Sequence, residues 1–370
     1  SRLTSPYRLS ASRDLPSRIP GVRRLGSQSN DPAPSPFAFP EITVTSARGA
    51  SGGVMAAAQC VDDAEHRADS QFSPMSSRET VSLQSLSASA VREDPEGAAA
   101  VLVRDGAVVV RGAVPTAAII TAAREHAGGA LDAALAEVGE NSTAVAEGLG
   151  QAASGSQLEA DTRWFGNVRD RAHRRDLKLQ LAPPVTAALH DLLGTVGGCL
   201  ADILTPDAVL CELSALVADP GAAAQLFHPD TQMAPGNDYT GLCTAFLALQ
   251  DVTGAMGPTE VCPRSHGAEA HAALSADLSL ATSPRSGDCW GQVQPALLSA
   301  GDVLLMDSRV WHRGGANVSD QRRVLLYITM GVPGNAPLGS TYSLLDEYTG
   351  RFRLSRLERW VDQTAITYRT

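Results

Sequence analysis

The sequence predicts a mainly β domain with flanking helices, an α+β fold, preceded by a long segment without regular structure. From about residue 205, short β-rich runs alternate with Gly, Pro and Asp turns, which is typical of an all-β sandwich or barrel. Upstream, Ala-rich stretches have the composition of helices that could cover one face of that sheet. Residues 1 to about 90 are rich in Ser, Pro, Gly and Arg and lack hydrophobic periodicity, so we expect disorder there.

The first 50 residues are rich in Ser, Arg and Pro and contain few acidic residues. This composition fits an organelle transit segment, and it fits equally well translation that starts at the first methionine, Met55. We therefore expect an intracellular protein, either cytoplasmic or organellar. The sequence contains no apolar run of about 18 residues, so no transmembrane segment is predicted.

Regular structure is expected to begin near Ser89. Residues 99–104 are predicted to end a helix, and the β-branched run 107–112, closed by a glycine, is predicted to be a strand. Pro115 then opens a helix over residues 116–138, because proline is tolerated in a first helical turn. The pair Gly128-Gly129 is expected to weaken or split that helix.

Residues 139–160 are predicted to form a polar loop, and a further helix is predicted over 185–193, before Gly197-Gly198. Between them, the basic segments 163–169 and 171–178 have two interpretations. They line a pocket for an anionic substrate, or they form a solvated helix face, which we favour. Beyond residue 205, the predicted strands are 208–217, 240–249, 259–262, 292–297, 302–306 and 323–330.

Charge and cysteine content exclude several classes of function. The net charge of −10 argues against a general nucleic-acid binder, because phosphate binding requires clustered Lys and Arg. None of the six cysteines forms a C-x-x-C pair, so a zinc ribbon or a thioredoxin-type motif is not expected. Their scattered positions are typical of buried thiols in a reducing compartment.

Two histidines and an aspartate carry the strongest chemical signal. His228 and Asp230 are two residues apart, so in a strand both side chains point to one face. The intervening Pro229 suits the end of a strand. A third ligand must come from another strand, and His312 follows the apolar run 303–306. Two imidazoles and one carboxylate are the ligands of the facial triad that binds non-haem Fe(II), although a lone histidine is more often a packed or surface residue.

An arginine near this triad is a candidate carboxylate clamp. Arg323 lies 11 positions after His312 and begins an apolar run. A guanidinium binds a carboxylate through two parallel hydrogen bonds. Arg322 competes for the role, and strand alternation allows only one of the two to face inward. The alternative is a surface charge at the start of a strand.

Four motifs in the same order resemble the phytanoyl-CoA dioxygenase family of Fe(II)/2-oxoglutarate oxygenases, and the resemblance covers roughly residues 95–335. The matching segments are Asp-Gly-Ala-Val-Val-Val-Arg-Gly at 105–112, Gln-Leu-Phe-His-Pro-Asp at 225–230, Gln-Asp-Val-Thr followed by Gly-Pro-Thr-Glu-Val-Cys-Pro-Arg-Ser-His at 250–253 and 257–266, and the segment 301–317 around His312. Arg264 replaces the usual glycine in the third motif, and His266 there is interpreted as structural.

The resemblance implies a double-stranded β-helix, the jelly-roll core shared with cupins. The expected domain organisation is a disordered or transit-like segment over 1–92, the oxygenase domain over 93–340, and a C-terminal extension over 341–370 that packs on the domain. Residues 351–361 look amphipathic, and are expected either to cap the barrel or to form a dimer contact. We expect a monomer or a homodimer.

The resemblance also implies roles for individual residues. His228, Asp230 and His312 would bind iron and form the catalytic centre. Arg323 would bind the distal carboxylate of 2-oxoglutarate, and Gln225 and Thr259 match positions whose side chains approach that cosubstrate. Alternatively, Gln225 is an amide that caps a strand and Thr259 is a hydroxyl in a turn. The expected cofactors are Fe(II), 2-oxoglutarate as cosubstrate and O₂, with ascorbate as a further candidate.

The implied reaction is hydroxylation of an aliphatic C–H bond in a small-molecule or acyl substrate, with release of succinate and CO₂. The carboxylate ligand Asp230 disfavours a halogenase, which needs that position vacant for chloride. Two alternatives remain open on the same fold. One is a cupin-like metal protein with non-oxidative chemistry, and the other is a catalytically silent binding module.

Overall fold

The computed structural model describes residues 81–138, 162–166, 168, 172–231, 233, 241–276, 291–333, 343–357 and 359–361. The predicted disordered or transit-like segment up to residue 80 and the predicted polar loop at 139–160 lie outside these described residues. Strand β1 spans Gln84–Ser87, so regular structure begins before Ser89, earlier than predicted. Within the described ranges, no helix is both long and apolar enough to cross a membrane.

A seven-stranded sheet forms the larger half of the β structure. Its strands, in chain order, are β1, β2 (Ala107–Arg111), β3 (Arg174–Lys178), β4 (Val209–Ala218), β5 (Leu242–Ala248), β8 (Val303–Asp307) and β10 (Arg323–Gly331). Across the sheet they run β1-β2-β8-β5-β10-β4-β3. Only β1 and β2 pair in parallel, and the other neighbours in this sheet are antiparallel.

A smaller sheet of three strands has the order β7-β6-β9. Its strands are β6 (Thr259–Val261), β7 (Gln294–Pro295) and β9 (His312–Gly314). The six strands predicted beyond residue 205 are confirmed, each with ends within two residues of the prediction. β9 was not predicted as a separate strand, because its three residues are too few to show an alternating pattern.

The two sheets enclose an apolar interior, as in a jelly roll. One buried cluster contains Val261 of the small sheet together with Leu304, Phe246 and Leu325 of the large sheet. Alternate residues of β10, such as Leu326, belong instead to a second core on the other face. The predicted fold class, mainly β with flanking helices around a double-stranded β-helix, is thereby confirmed.

Helices cover that other face of the large sheet. They are α1 (Ala88–Glu93), α2 (Pro95–Asp105), α3 (Ala117–Val138) and α4 (Pro183–Ile203), whereas the shorter α5 (Ala268–Ala276) packs beside the small sheet. Buried residues from α3 and α4, among them Leu131 and Leu192, share one core with β4 and β10. The C-terminal residues Leu354 and Leu357 are buried in the same core.

Two glycine pairs do not interrupt their helices. α3 runs without a break through Gly128-Gly129, and α4 continues past residue 193 through Gly197-Gly198 to Ile203. A glycine costs a helix only about 1 kcal/mol, which the burial of one helix face outweighs. Gly198 also permits a close approach, because a Cβ there would lie 3.1 Å from Cβ of Pro95.

The favoured interpretation of the basic segment 171–178 as a solvated helix face is wrong. Arg174–Lys178 forms strand β3, which pairs with β4 at the edge of the large sheet. Arg174 and Asp176 are buried, with 0% and 4% of their surface exposed. Pairing with β4 overrides the local polarity, because an edge strand that faces an enclosed interior can carry alternate polar residues.

Candidate active site

The structure brings His228, Asp230 and His312 together. His228 and His312 form an isolated β-bridge, in which each backbone N–H donates to the other residue's carbonyl at 3.0 Å. Asp230 Oδ1 lies 3.9 Å from Nε2 of His228 and 3.6 Å from Nε2 of His312. One potential ligand atom from each residue lies within 4.8 Å of the others. The three side chains thus converge from two different segments on one point, as predicted.

Backbone carbonyls orient both imidazole rings. Nδ1 of His228 donates to the carbonyl of Leu226 at 2.7 Å, and Nδ1 of His312 donates to the carbonyl of Val310 at 2.9 Å. A carbonyl can only accept, so the proton is on Nδ1 and Nε2 retains its lone pair in each neutral ring. This is the tautomer that a metal ligand requires, and the second nitrogen of metal-binding histidines is usually held in this way.

The aspartate is positioned through its backbone. The N–H of Asp230 donates to the carbonyl of Ser308 at 2.8 Å, and the adjacent Thr231 forms a buried hydroxyl–hydroxyl bond of 2.7 Å with the same serine. The Asp230 side chain remains 42% exposed, whereas those of His228 and His312 are 12% and 8% exposed. Two fixed nitrogens and an accessible carboxylate fit Fe(II), with the carboxylate on the open side.

Arg323, and not Arg322, faces the interior. Arg322 pairs with Asp219 at the surface, whereas Arg323 is fully buried and donates through Nη1 to the carbonyl of Gly257. Nε and Nη2 of Arg323 have no hydrogen-bond partner among the described residues. Burial, with a contribution from the charge of Arg174, lowers the pKa of Arg323 to about 9. These two groups, Nε–H and Nη2–H, lie on the edge of the guanidinium that can donate two parallel hydrogen bonds to one carboxylate.

A second buried arginine, Arg174, lies on the same face of the large sheet as Arg323. Arg323 and Arg174 both pair with Ala218, one from each side, so the three side chains share one face of the sheet. We call these three residues the arginine row. Arg174 donates through Nη2 to the carbonyls of Ala223 and Gly315. The pocket-lining interpretation of segment 171–178 included Arg174 without singling it out, and the signal that could have found it is the two-residue alternation of Arg174 and Asp176 in a strand.

Gly314 and the amide of Gln225 lie between the candidate metal ligands and the arginine row. Gly314 lies two residues beyond His312 on β9, and a Cβ there would be 2.8 Å from Oε1 of Gln225 and 3.2 Å from Nη2 of Arg174. Gln225 accepts from the N–H of Gly314 at 2.8 Å, so its amide caps β9 in this structure. Thr259 pairs with Gly314 on the same face and is buried. Contact of either side chain with a cosubstrate stays a prediction.

Arg264, which stands where a glycine was expected, adopts a backbone conformation that glycine favours, with a φ of 66°. Its side chain donates through Nε to the buried carboxylate of Asp105 at 2.9 Å. Burial acts to raise the pKa of Asp105, but hydrogen bonds from Arg104 and Arg264 outweigh it and lower that pKa below its usual value. Nε2 of His266 donates to the carbonyl of Val103 at 2.9 Å, a structural contact.

Several solved structures are similar to this chain, at low sequence identity and with TM-scores below 0.5. The carbocyclase SnoK from nogalamycin biosynthesis is 20% identical, with 66% of this chain and 87% of that chain aligned at a TM-score of 0.42. AviO1 from Streptomyces viridochromogenes Tue57 is also 20% identical, with 66% and 98% aligned at 0.43. HygX from Streptomyces hygroscopicus, solved with nickel and 2-oxoglutarate bound, is 15% identical, with 64% and 87% aligned at 0.43.

Two sequence comparisons are more direct. The multifunctional dioxygenase ausE of Aspergillus calidoustus is 31% identical over 119 residues, which are 30% of this chain and 38% of that protein. The matched segment therefore spans well under half the length of that relative. The family model for phytanoyl-CoA dioxygenase (PhyH) matches residues 102–325, more than half of the chain and all of the site described above. The chain belongs to the phytanoyl-CoA dioxygenase family.

Proposed function

We propose that this protein is an Fe(II)- and 2-oxoglutarate-dependent oxygenase. It hydroxylates an aliphatic C–H bond of a small-molecule or acyl substrate and releases succinate and CO₂. The observation that carries the proposal is the pairing of two features in one interior. A His-Asp-His cluster has both imidazoles set for a metal, and a buried arginine nearby has the N–H pair that binds a carboxylate.

Iron would be held by Nε2 of His228, Nε2 of His312 and the carboxylate of Asp230. When bound, it would supply the oxidative chemistry, using O₂ and 2-oxoglutarate to oxidise the substrate. The protein's own contribution is positional. The Leu226 and Val310 carbonyls hold the two rings in the ligating tautomer, so little reorganisation accompanies metal binding.

Arg323 would bind the distal carboxylate of 2-oxoglutarate. Gly314, beside the arginine row, is two residues from His312, a separation of about 7 Å along a strand. That spacing suits a five-carbon dicarboxylate with one end at the metal and the other at Arg323. The positive charge of Arg174 in the same row further favours an anion there. Burial of both arginines keeps water from competing for these hydrogen bonds.

The same geometry weighs against the two alternative functions. A cupin-like protein with non-oxidative chemistry does not need a buried arginine that binds a carboxylate near its metal. In this protein, Arg323 is fully buried in the same interior as the candidate metal ligands. A binding module without catalytic activity does not need side chains oriented to bind a metal. In this protein, both imidazoles are held with Nε2 available to a metal.

A substrate panel tests the proposal. The protein is incubated with Fe(II), 2-oxoglutarate, O₂ and ascorbate, and with fatty acyl-CoA thioesters, free fatty acids or small hydroxylated metabolites. Succinate is then measured against the background without substrate. We expect at least one class to raise succinate formation and to yield a product heavier by one oxygen atom. The proposal fails if iron and 2-oxoglutarate give no succinate above a metal-free control under any condition.

A further inference from the structure

Gln250 lies two residues beyond the end of strand β5, which pairs with β10 in the large sheet. Leu325 of β10 pairs with Ala248 at the end of β5, and the N–H of Leu249 donates to the carbonyl of Val324 at 3.3 Å, so the antiparallel register continues past β5. From this register we infer that Gln250, two residues beyond the end of β5, lies opposite Arg323. Ala248 belongs to the interior cluster and Leu249 to the outer core, so strand alternation directs Gln250 to the interior face.

The amide of Gln250 is buried and lacks partners. Its Nε2 and Oε1 are both shielded from solvent, and neither has a hydrogen-bond partner among the described residues. Such groups are rare in folded proteins because a buried amide without hydrogen bonds loses its hydration without compensation. Nε and Nη2 of Arg323 likewise have no hydrogen-bond partner among the described residues. The two side chains do not satisfy each other, and one group that accepts hydrogen bonds would satisfy the donors of both.

We propose that Gln250 is a cosubstrate-binding residue, which donates from Nε2 to the distal carboxylate of 2-oxoglutarate while Arg323 holds that carboxylate through Nε and Nη2. This inference rests on the proposed function and adds a residue to its site. The hydrogen-bond count supports it, because a carboxylate offers about four lone-pair positions. The fork of Arg323 uses two of them and leaves an acceptor for the amide of Gln250.

Binding measurements on the metal-free protein test this role without relying on turnover. Glutarate, a five-carbon dicarboxylate, is titrated into the wild-type protein, Gln250→Met and Gln250→Glu, and its dissociation constant is measured by calorimetry. Gln250→Met preserves the length of the side chain but removes the hydrogen bonds, and we expect binding to weaken about tenfold or more. Gln250→Glu places a carboxylate beside Arg323, and we expect a larger loss, because that carboxylate occupies the arginine in place of the ligand.

A matched control separates binding from folding. Gln294 is an amide on β7 that donates to Val81 and accepts from Leu83, outside the arginine row. We expect Gln294→Met to lower the melting temperature but to leave the glutarate dissociation constant unchanged. We expect Gln250→Met to show the opposite pattern, because the ligand-free protein loses no hydrogen bond at that position. In turnover assays, Gln250→Met should raise the KM for 2-oxoglutarate and leave kcat nearly unchanged.

The failure of this inference differs from the failure of the proposed function. If the wild-type protein binds glutarate and Gln250→Met binds it equally well, the assignment of Gln250 is wrong and the proposed function stands. If the wild-type protein binds neither glutarate nor, when loaded with Ni²⁺, 2-oxoglutarate, both are wrong.

Discussion

The proposed metal ligands and the arginine row lie in one interior but differ in how many of their polar groups have hydrogen-bond partners. At the metal end, each imidazole has its Nδ1 held by a carbonyl, and the backbone of Asp230 is fixed by Ser308. At the other end, Arg323 is buried with two N–H groups unpartnered among the described residues, and its pKa is lowered to about 9. Under the proposed function, the protein preorganises the metal site by itself, whereas the anion site is completed by its ligand.

This difference has an energetic consequence. A buried charge without a counter-charge costs several kcal/mol, and among the described residues Arg323 has no ion-pair partner, so the ligand-free protein carries that cost there. An anion that binds there stabilises the folded state by an amount that grows with its concentration relative to its dissociation constant. The proposed metal ligand Asp230, whose side chain is 42% exposed, imposes no comparable cost. Substitutions at the two ends should therefore affect stability in different ways.

The largest effect is expected from Asp230→Ala. Loss of the carboxylate removes one of three metal ligands, and we expect succinate formation to fall by roughly 100-fold or more together with most iron binding. The fold should be retained, because 42% of this side chain is exposed and Asp230 is held in place through its backbone. Succinate formation and bound iron per chain are the measurements, with Asp320→Ala, at an exposed carboxylate outside the site, as the control. Succinate formation at the native rate in Asp230→Ala would exclude this residue as a ligand.

The next effect is expected from Arg323→Met. Removal of the guanidinium should raise the KM for 2-oxoglutarate roughly 100-fold, because a bidentate charge-assisted pair is lost. The melting temperature of the ligand-free protein should be maintained, since an uncompensated buried charge is removed at the same time. Arg322→Met is the matched control, with an unchanged KM, because Arg322 pairs with Asp219 at the surface. An unchanged KM in Arg323→Met would show that another residue binds the cosubstrate.

The smallest effect concerns Arg264, where the resemblance led us to expect glycine. Arg264→Ala keeps the left-handed backbone but removes the pair with Asp105, so we expect a loss of about 1–3 kcal/mol in the free energy of unfolding. Arg264→Gly removes the same pair but relieves the backbone, and should be less destabilised by about 1 kcal/mol. Urea denaturation of the two variants measures the difference. Equal stability would show that the positive φ carries no strain.

Much of the site could be predicted from the sequence, because its signals are local. The spacing of His228 and Asp230 places both on one face of an extended segment, and strand alternation reduced the choice between Arg322 and Arg323 to one inward residue. The structure selects Arg323. The strands beyond residue 205 were predicted for the same reason, since turns and β-branched runs are read directly from neighbouring residues.

The features that escaped prediction depend on tertiary contacts. Arg174 looked like part of a solvated helix, and only the pairing of β3 with β4 places it beside Ala218 and Arg323. α4 passes through Gly197-Gly198 because its buried face packs on the large sheet and on α2, which local helix propensity cannot report. The partner of Arg264, Asp105, is far away in sequence.

An anaerobic titration tests the central claim most directly. Fe(II) is added to the metal-free protein without O₂, bound iron is counted, and 2-oxoglutarate is then added while the visible absorption spectrum is recorded. We predict one iron per chain and a new charge-transfer band when 2-oxoglutarate chelates that iron. Asp230→Ala should lose the iron, and Arg323→Met should keep the iron but need far more 2-oxoglutarate to develop the band. A wild-type protein that binds no Fe(II), or that binds it and shows no spectral change with 2-oxoglutarate, would contradict the account.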